Sequence, residues 1–161
     1  MKITKRQLRK LIRESLEDNS EFFPKLLQMA QLSYAHYLQA KEIASTAGLN
    51  IDLEMELLKL IKQEIDQLLV SVTERINDGY MYSYIVEGEG DGYESEDEFS
   101  RPANLFDRGI IIGYQGSWNS MDYGAVYLGD DAIIVIGDYY IQGEHKFDNV
   151  QELMTYLREK L

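Results

Sequence analysis

Twelve residues, Glu87–Glu98 (EGEGDGYESEDE), set oxygen-bearing side chains at the spacing of a calcium loop. Glu87, Glu89 and Asp91 would fill positions one, three and five. Gly92 would make the sharp turn at six, with Ser95 at nine and the Glu98 carboxylate at twelve. The fit is partial. Glu stands where Asp opens such a loop, Glu94 replaces the apolar eighth residue, and a strand pattern leads into it where a helix should. The expectation is a solvated acidic loop with weak calcium affinity and no resident cofactor.

Other catalytic signatures are missing from the sequence. With no cysteine there is no disulfide, thiolate zinc site or cysteine nucleophile. The two histidines, His36 and His145, have no ligand spacing between them and read as packed or surface residues. No phosphate-binding glycine loop and no Gly-x-Ser-x-Gly elbow occurs. Carboxylates are too numerous to nominate an acid/base pair, so no catalytic residue is assigned and the reading leans away from an enzyme. The aromatic residues are the better candidates for contact. Trp118, the only tryptophan, and Tyr123 flank a Gly/Ser/Asn loop, and Tyr80, Tyr82 and Tyr84 form a stripe at alternate positions. Tyrosine and tryptophan suit half-wet surfaces, so these five residues are the expected partner-binding set.

Charge separates the chain into two parts. Residues 1–13 hold six cations (Lys2, Lys5, Arg6, Arg9, Lys10 and Arg13) and no acid. The remainder holds ten cations against 28 acids, a net −18 within an overall −12. Such a body should be repelled by nucleic acid, whose phosphates need clustered Lys and Arg. No apolar run approaches the ~20 residues of a membrane span. Residues 2–17 read as a basic amphipathic helix with Ile3, Leu8, Leu11, Ile12 and Leu16 on one face. By themselves they describe a first helix docked on the acidic body.

The stretch Met1–Ser15, MKITKRQLRKLIRES, also resembles the Lys/Arg-rich leader of marine tailed-bacteriophage proteins. Within it, Ile12-Arg13-Glu14-Ser15 resembles the site cut by prohead proteases of T4-like phages, an aliphatic residue, any residue, Glu, then a small residue. The resemblance implies cleavage between Glu14 and Ser15 after the leader has directed the protein into an assembling capsid. It covers about a tenth of the chain. The expected location is the host cytoplasm or the virion, with no secretory signal, since cations interrupt every apolar stretch of the N-terminus.

The elements that would position these residues follow from periodicity. Asn19 or Ser20 should cap a helix with Pro24 in its first turn, running to Thr46. Gly48 should sit in a left-handed C′ position and Leu49 should supply the contact beyond it. Asn50 should cap a third helix with the stripe Leu57, Ile61, Ile65, Leu68, Val72 and Ile76, stopped by Asp78-Gly79. The pair forms a long αα-hairpin that invites self-association. Period two then takes over. Strands are expected at Tyr80–Val86, Gly109–Tyr114, Ala125–Leu128, Ala132–Ile136 and Tyr139–Gln142. Loops fill 87–104 and 115–122, and a hairpin turn falls at Gly129-Asp130-Asp131. Asp148 should cap a last helix, with Gln151 in the capping box and Leu153, Met154, Leu157 and Leu161 buried. The fold class is α+β: a basic helix (1–18), an αα-hairpin (19–78), and an antiparallel meander of four to five strands with a C-terminal helix (79–161).

Three functions remain open. The leading one is a phage-encoded accessory or structural protein working through protein contact or self-association. The second is an acidic inhibitor or DNA mimic binding a host protein. The third is a small carboxylate-based enzyme, calcium-assisted.

Overall fold

The structure is a computed structural model, and it describes residues 3–8, 10, 19–87, 108–137 and 140–161. Two compact units, Met1–Leu57 and Leu58–Leu161, divide the chain.

In the first unit, residues 5–8 are helical. Thr4 starts this turn with a reciprocal cap: its Oγ1 accepts from Gln7 N at 3.3 Å, and its N–H donates to Gln7 Oε1 at 2.9 Å. Helices α1 (Asn19–Leu32) and α2 (Tyr34–Thr46) follow. The single helix expected across 20–46 is therefore two. Ser33 is extended (φ −162°, ψ 164°), and its Oγ accepts from His36 N at 3.2 Å, capping α2. Hydrophobic spacing hides the break, because buried Phe22, Leu26, Ala30, Tyr34 and Tyr37 keep helical intervals straight through Ser33. Asn19 and Ser20 lie inside α1 instead of capping it, and Pro24 sits a turn deeper than expected. The end of α2 matches its sequence signal. Gly48 has φ +64°, Gly48 N donates to Ser45 O and Leu49 N donates to Ala44 O, a Schellman closure.

Helix α3 (Leu53–Thr73) begins in the first unit and continues into the second. Its cap is Asp52, whose Oδ1 accepts from Met55 N at 3.1 Å, and not Asn50. In the second unit the buried stripe is Leu58, Ile61, Ile65, Leu69 and Val72. Leu69 takes the place expected of Leu68.

The sheet is an antiparallel meander in the order β1-β2-β3-β4-β5. Its strands are Tyr80–Glu87, Arg108–Gln115, Ser120–Leu128, Ile133–Gly137 and Gly143–Phe147. Helix α4 (Val150–Lys160) closes it. The fold is thus α+β with a C-terminal helix, as the periodicities indicated. One face bears Met81, Ile110, Ile112, Val126, Ile133 and Val135, all buried. Helix α3 is pinned to β1 on this side: Ser83 Oγ donates to Asp66 Oδ1, and Met81 N donates to Thr73 Oγ1 at 3.0 Å. Helix α4 meets β5 through the Tyr156 ring, 4.8 Å from His145 and 5.0 Å from Phe147 between centroids. The opposite face bears Tyr80, Tyr82, Tyr84 and Val86 beside Ile111, Ala125 and Tyr127.

Two sequence expectations fail at the end of the meander. Of the expected last strand Tyr139–Gln142, the described residues 140–142 are not strand. Gly137 pairs with Gly143, so the described Tyr140, Ile141 and Gln142 belong to the connection, and Gln142 has φ +41°. Ile141 is buried there, over Gly124 and Gly137, where an added Cβ would meet it at 2.7 and 2.9 Å. A loop residue with a core role reads as strand. His145 lies within β5, its Nε2 2.9 Å from Gln142 O and 3.0 Å from Ile141 O, holding that turn. The cap of α4 is Asn149, accepting from Glu152 N at 2.9 Å, while Glu152 Oε2 accepts from Asp148 N. The capping box is displaced one residue from the expected Asp148/Gln151.

Candidate partner-binding site

At one end of the sheet β1 begins, β2 ends, β3 begins and β4 gives way to β5. The β2–β3 connection is a tight turn there. Strand pairing runs to Gln115↔Ser120, so the loop expected at 115–122 shrinks to Gly116–Asn119, with Gly116 N donating to Asn119 O at 2.8 Å. Trp118 stands on this turn with 95% of its surface exposed. The turn is braced from the residues that follow α3. Ser117 Oγ donates to Asp78 Oδ1 at 2.7 Å, Ser117 N donates to Asp78 Oδ2 at 3.4 Å, and Tyr114 OH donates to Asp78 O. Gly79 makes the close approach workable. Its φ is +89°, and a Cβ would collide with the backbone carbonyl of Gln115.

Beside the turn lies a cleft of 490 Å³. Met81 and Tyr114 wall it from β1 and β2, Met121 and Tyr123 from β3, and Tyr140 from the β4–β5 connection. Arg75, just past α3, also lines it. A β-bulge builds the aromatic wall. The register slips between Ile112/Gly113 and Gly124/Asp122, so Tyr123 is the extra residue and joins Tyr114 and Met121 on the helix-covered face. Tyr123 stacks on Tyr114 (6.3 Å, 19°) and meets Tyr140 edge-on (5.4 Å, 89°). Tyr140 is 58% exposed. A second cleft of 370 Å³, lined by Glu64, Gln67, Ser71, Arg75 and Arg158 among others, shares Arg75.

The structure splits the expected partner-binding set. Trp118 and Tyr123 sit at this end, at the turn and in the cleft. Tyr80, Tyr82 and Tyr84 form a ladder on the other face, with centroids 6.2 and 6.0 Å apart. Tyr82 lies over Gly113, where a Cβ would meet its ring at 2.5 Å. Arg75, Tyr114, Met121 and Tyr140 were not anticipated as site residues. The bulge and the β4–β5 turn bring them together, and neither leaves a periodic signal. Glu14, Ser15, Glu89, Asp91, Ser95 and Glu98 lie outside the described residues. Glu87 is exposed at the end of β1, in register with Arg108.

Among the described residues no group of three or more His, Cys, Asp or Glu is placed to hold a metal ion. Nor is any described helix long and apolar enough to cross a membrane. Two tyrosines of the second unit are perturbed. Burial pushes the Tyr156 phenol up, and its OH donates to Ile141 O at 2.9 Å. Burial, with Glu144 adding to it and Lys146 opposing, pushes Tyr127 up. Among its described lining residues the cleft offers aromatic and thioether surface and one guanidinium, and the exposed indole of Trp118 stands on the turn beside it. No protein-family model matches the chain, and neither does any curated protein or solved structure.

Proposed function

We propose that this is a phage-encoded accessory or structural protein that acts through protein–protein contact, presented by the sheet end around Trp118. The observation that carries the reading is Trp118 itself, almost wholly exposed on a four-residue turn braced to Asp78. An indole held in water forgoes one of the largest hydrophobic gains a side chain can make. Its surroundings, Gly116, Ser117, Asn119, Tyr114, Tyr123 and Tyr140, have the Tyr/Ser/Gly/Asn composition of surfaces that bind proteins with little entropy loss. The phage setting rests on the leader resemblance of Met1–Ser15, and the net −18 body argues for a protein partner over nucleic acid.

A photo-crosslinking residue at exposed Ser120, two positions from Trp118, tests the contact in expressing cells. The expected result is a covalent adduct with protein; none at all would overturn the reading. Mass spectrometry of purified virions tests the setting. The chain should be present with a peptide beginning at Ser15, and its absence would overturn the virion assignment.

A further inference from the structure

We infer that the partner of this surface is a second copy of the same chain, with Trp118 of each copy seated in the aromatic cleft of the other. The inference rests on the contact reading above and names its partner.

The projecting residue and the recess belong to one small region of one unit. Trp118 stands on the Gly116–Asn119 turn, while Asn119, Tyr114 and Met121 of the same hairpin line the cleft. With both features at one end, a two-fold axis there would set each indole against the other copy's recess. A two-fold contact of this kind closes on itself, so the product is a pair and not a filament.

The cleft offers an indole a cation and aromatic surface. Arg75 is the one cationic side chain among the described lining residues. Among aromatic rings an indole is the best face for a cation, and a guanidinium is the cation most often found over one. Tyr114, Tyr123 and Tyr140 offer faces and edges to the ring, and Met81 and Met121 offer polarisable sulfur at its rim. A basic peptide would meet Arg75 as a like charge. The turn is already ordered by Ser117–Asp78 and Gly116–Asn119, so little conformational freedom is lost on insertion.

The same features set the strength. One Trp and one Tyr from each copy, at ~150–250 Å² apiece, give an interface on the order of 1,000 Å². That is small for a specific complex, and a net charge of −12 on each chain opposes the approach. The pair should therefore be weak, with Kd on the order of tens of micromolar. It should tighten as salt screens the repulsion.

Because Trp118 is the sole tryptophan, its fluorescence reports the event directly. Purified full-length chain, followed by sedimentation velocity and emission across a concentration series, should pass from monomer to dimer. The emission should shift to the blue and acrylamide quenching should fall severalfold along the same curve. Added NaCl should move the curve to lower concentration. Trp118→Ala should stay monomeric with an unchanged Tm, since the residue buries almost nothing in the single chain. Arg75→Gln should weaken the pair about 2- to 5-fold. A chain that stays monomeric with a fully quenchable Trp118 overturns the inference, as does a dimer that Trp118→Ala leaves intact. If crosslinking from Ser120 captures only other proteins, the second-copy inference falls and the contact reading stands. If it captures none, both fall.

Discussion

Ser117 donates a 2.7 Å hydrogen bond from its hydroxyl to the Asp78 carboxylate, joining positions 39 residues apart in sequence. The bond ties the β2–β3 turn, which carries Trp118, to the chain that leaves α3. Ser117→Ala should cost about 0.5–1.5 kcal/mol in urea unfolding. Trp118 fluorescence anisotropy should fall, because the indole would gain local motion. An unchanged anisotropy would show that the remaining bonds, Ser117 N to Asp78, Tyr114 OH to Asp78 O and Gly116 N to Asn119 O, hold the turn without the hydroxyl.

Gly113 has room for no side chain, since Tyr82 covers it across the β1–β2 pair. Gly113→Ala should destabilise the fold by about 1–3 kcal/mol, the usual cost of overpacking. Adding Tyr82→Ala should recover part of that loss, and a double-mutant cycle measures the coupling. Purely additive costs would mean the ring does not sit over the glycine.

Ser33 separates two helices that hydrophobic spacing would fuse. Ser33→Ala should cost about 1 kcal/mol, and Ser33→Asp should keep most of the stability, because Asp also accepts from the His36 amide. If Ser33→Ala were stabilising, the continuous helix would be the better structure and the break incidental.

Alkaline pH should loosen the second unit. Tyr156 and Tyr127 both have phenol pKa values raised above 10.0 in the fold. Between that value and the folded one, the folded chain binds more protons than the unfolded chain, so stability falls as pH rises. Their contribution is complete below pH 10 and is lost as pH climbs through the folded pKa. Tyr156→Phe should flatten this decline in thermal melts between pH 9 and pH 12 (about one unit below to two above the phenol pKa). An equally steep decline in the variant would place the alkaline sensitivity elsewhere.

The sequence signalled an element wherever one local rule governed it. Gly48 and Leu49 close α2 as their types require. Gly129-Asp130-Asp131 makes the β3–β4 turn, with Gly129 N bonded to Ala132 O, and the Ile133–Val135 run is an interior strand. Where two residues could serve, spacing alone chose the wrong neighbour. Asp52 prevailed over Asn50 and Asn149 over Asp148, because tertiary packing sets where the first turn begins. The cleft was invisible for a different reason. It depends on a one-residue register slip at Tyr123 and on Ile141 folding over two glycines, both consequences of strand pairing between distant segments. Trp118 and Tyr123 could be nominated by type, whereas Arg75 and Tyr140 join them only once the meander is closed.

Among the described strands, the first and the last in the order of the sheet are unlike each other. β5, the last strand, carries Glu144 and Lys146 along its length, charges that discourage an incoming strand. β1, the first, reads Tyr-Met-Tyr-Ser-Tyr-Ile-Val before its first charge at Glu87. Uncharged, aromatic and rich in β-forming residues, it has the composition from which cross-β aggregates grow. When preparations of this protein are heated or partly unfolded, β1 is the segment from which irreversible aggregation would start, and a charge placed within it is the change that would keep the protein in solution.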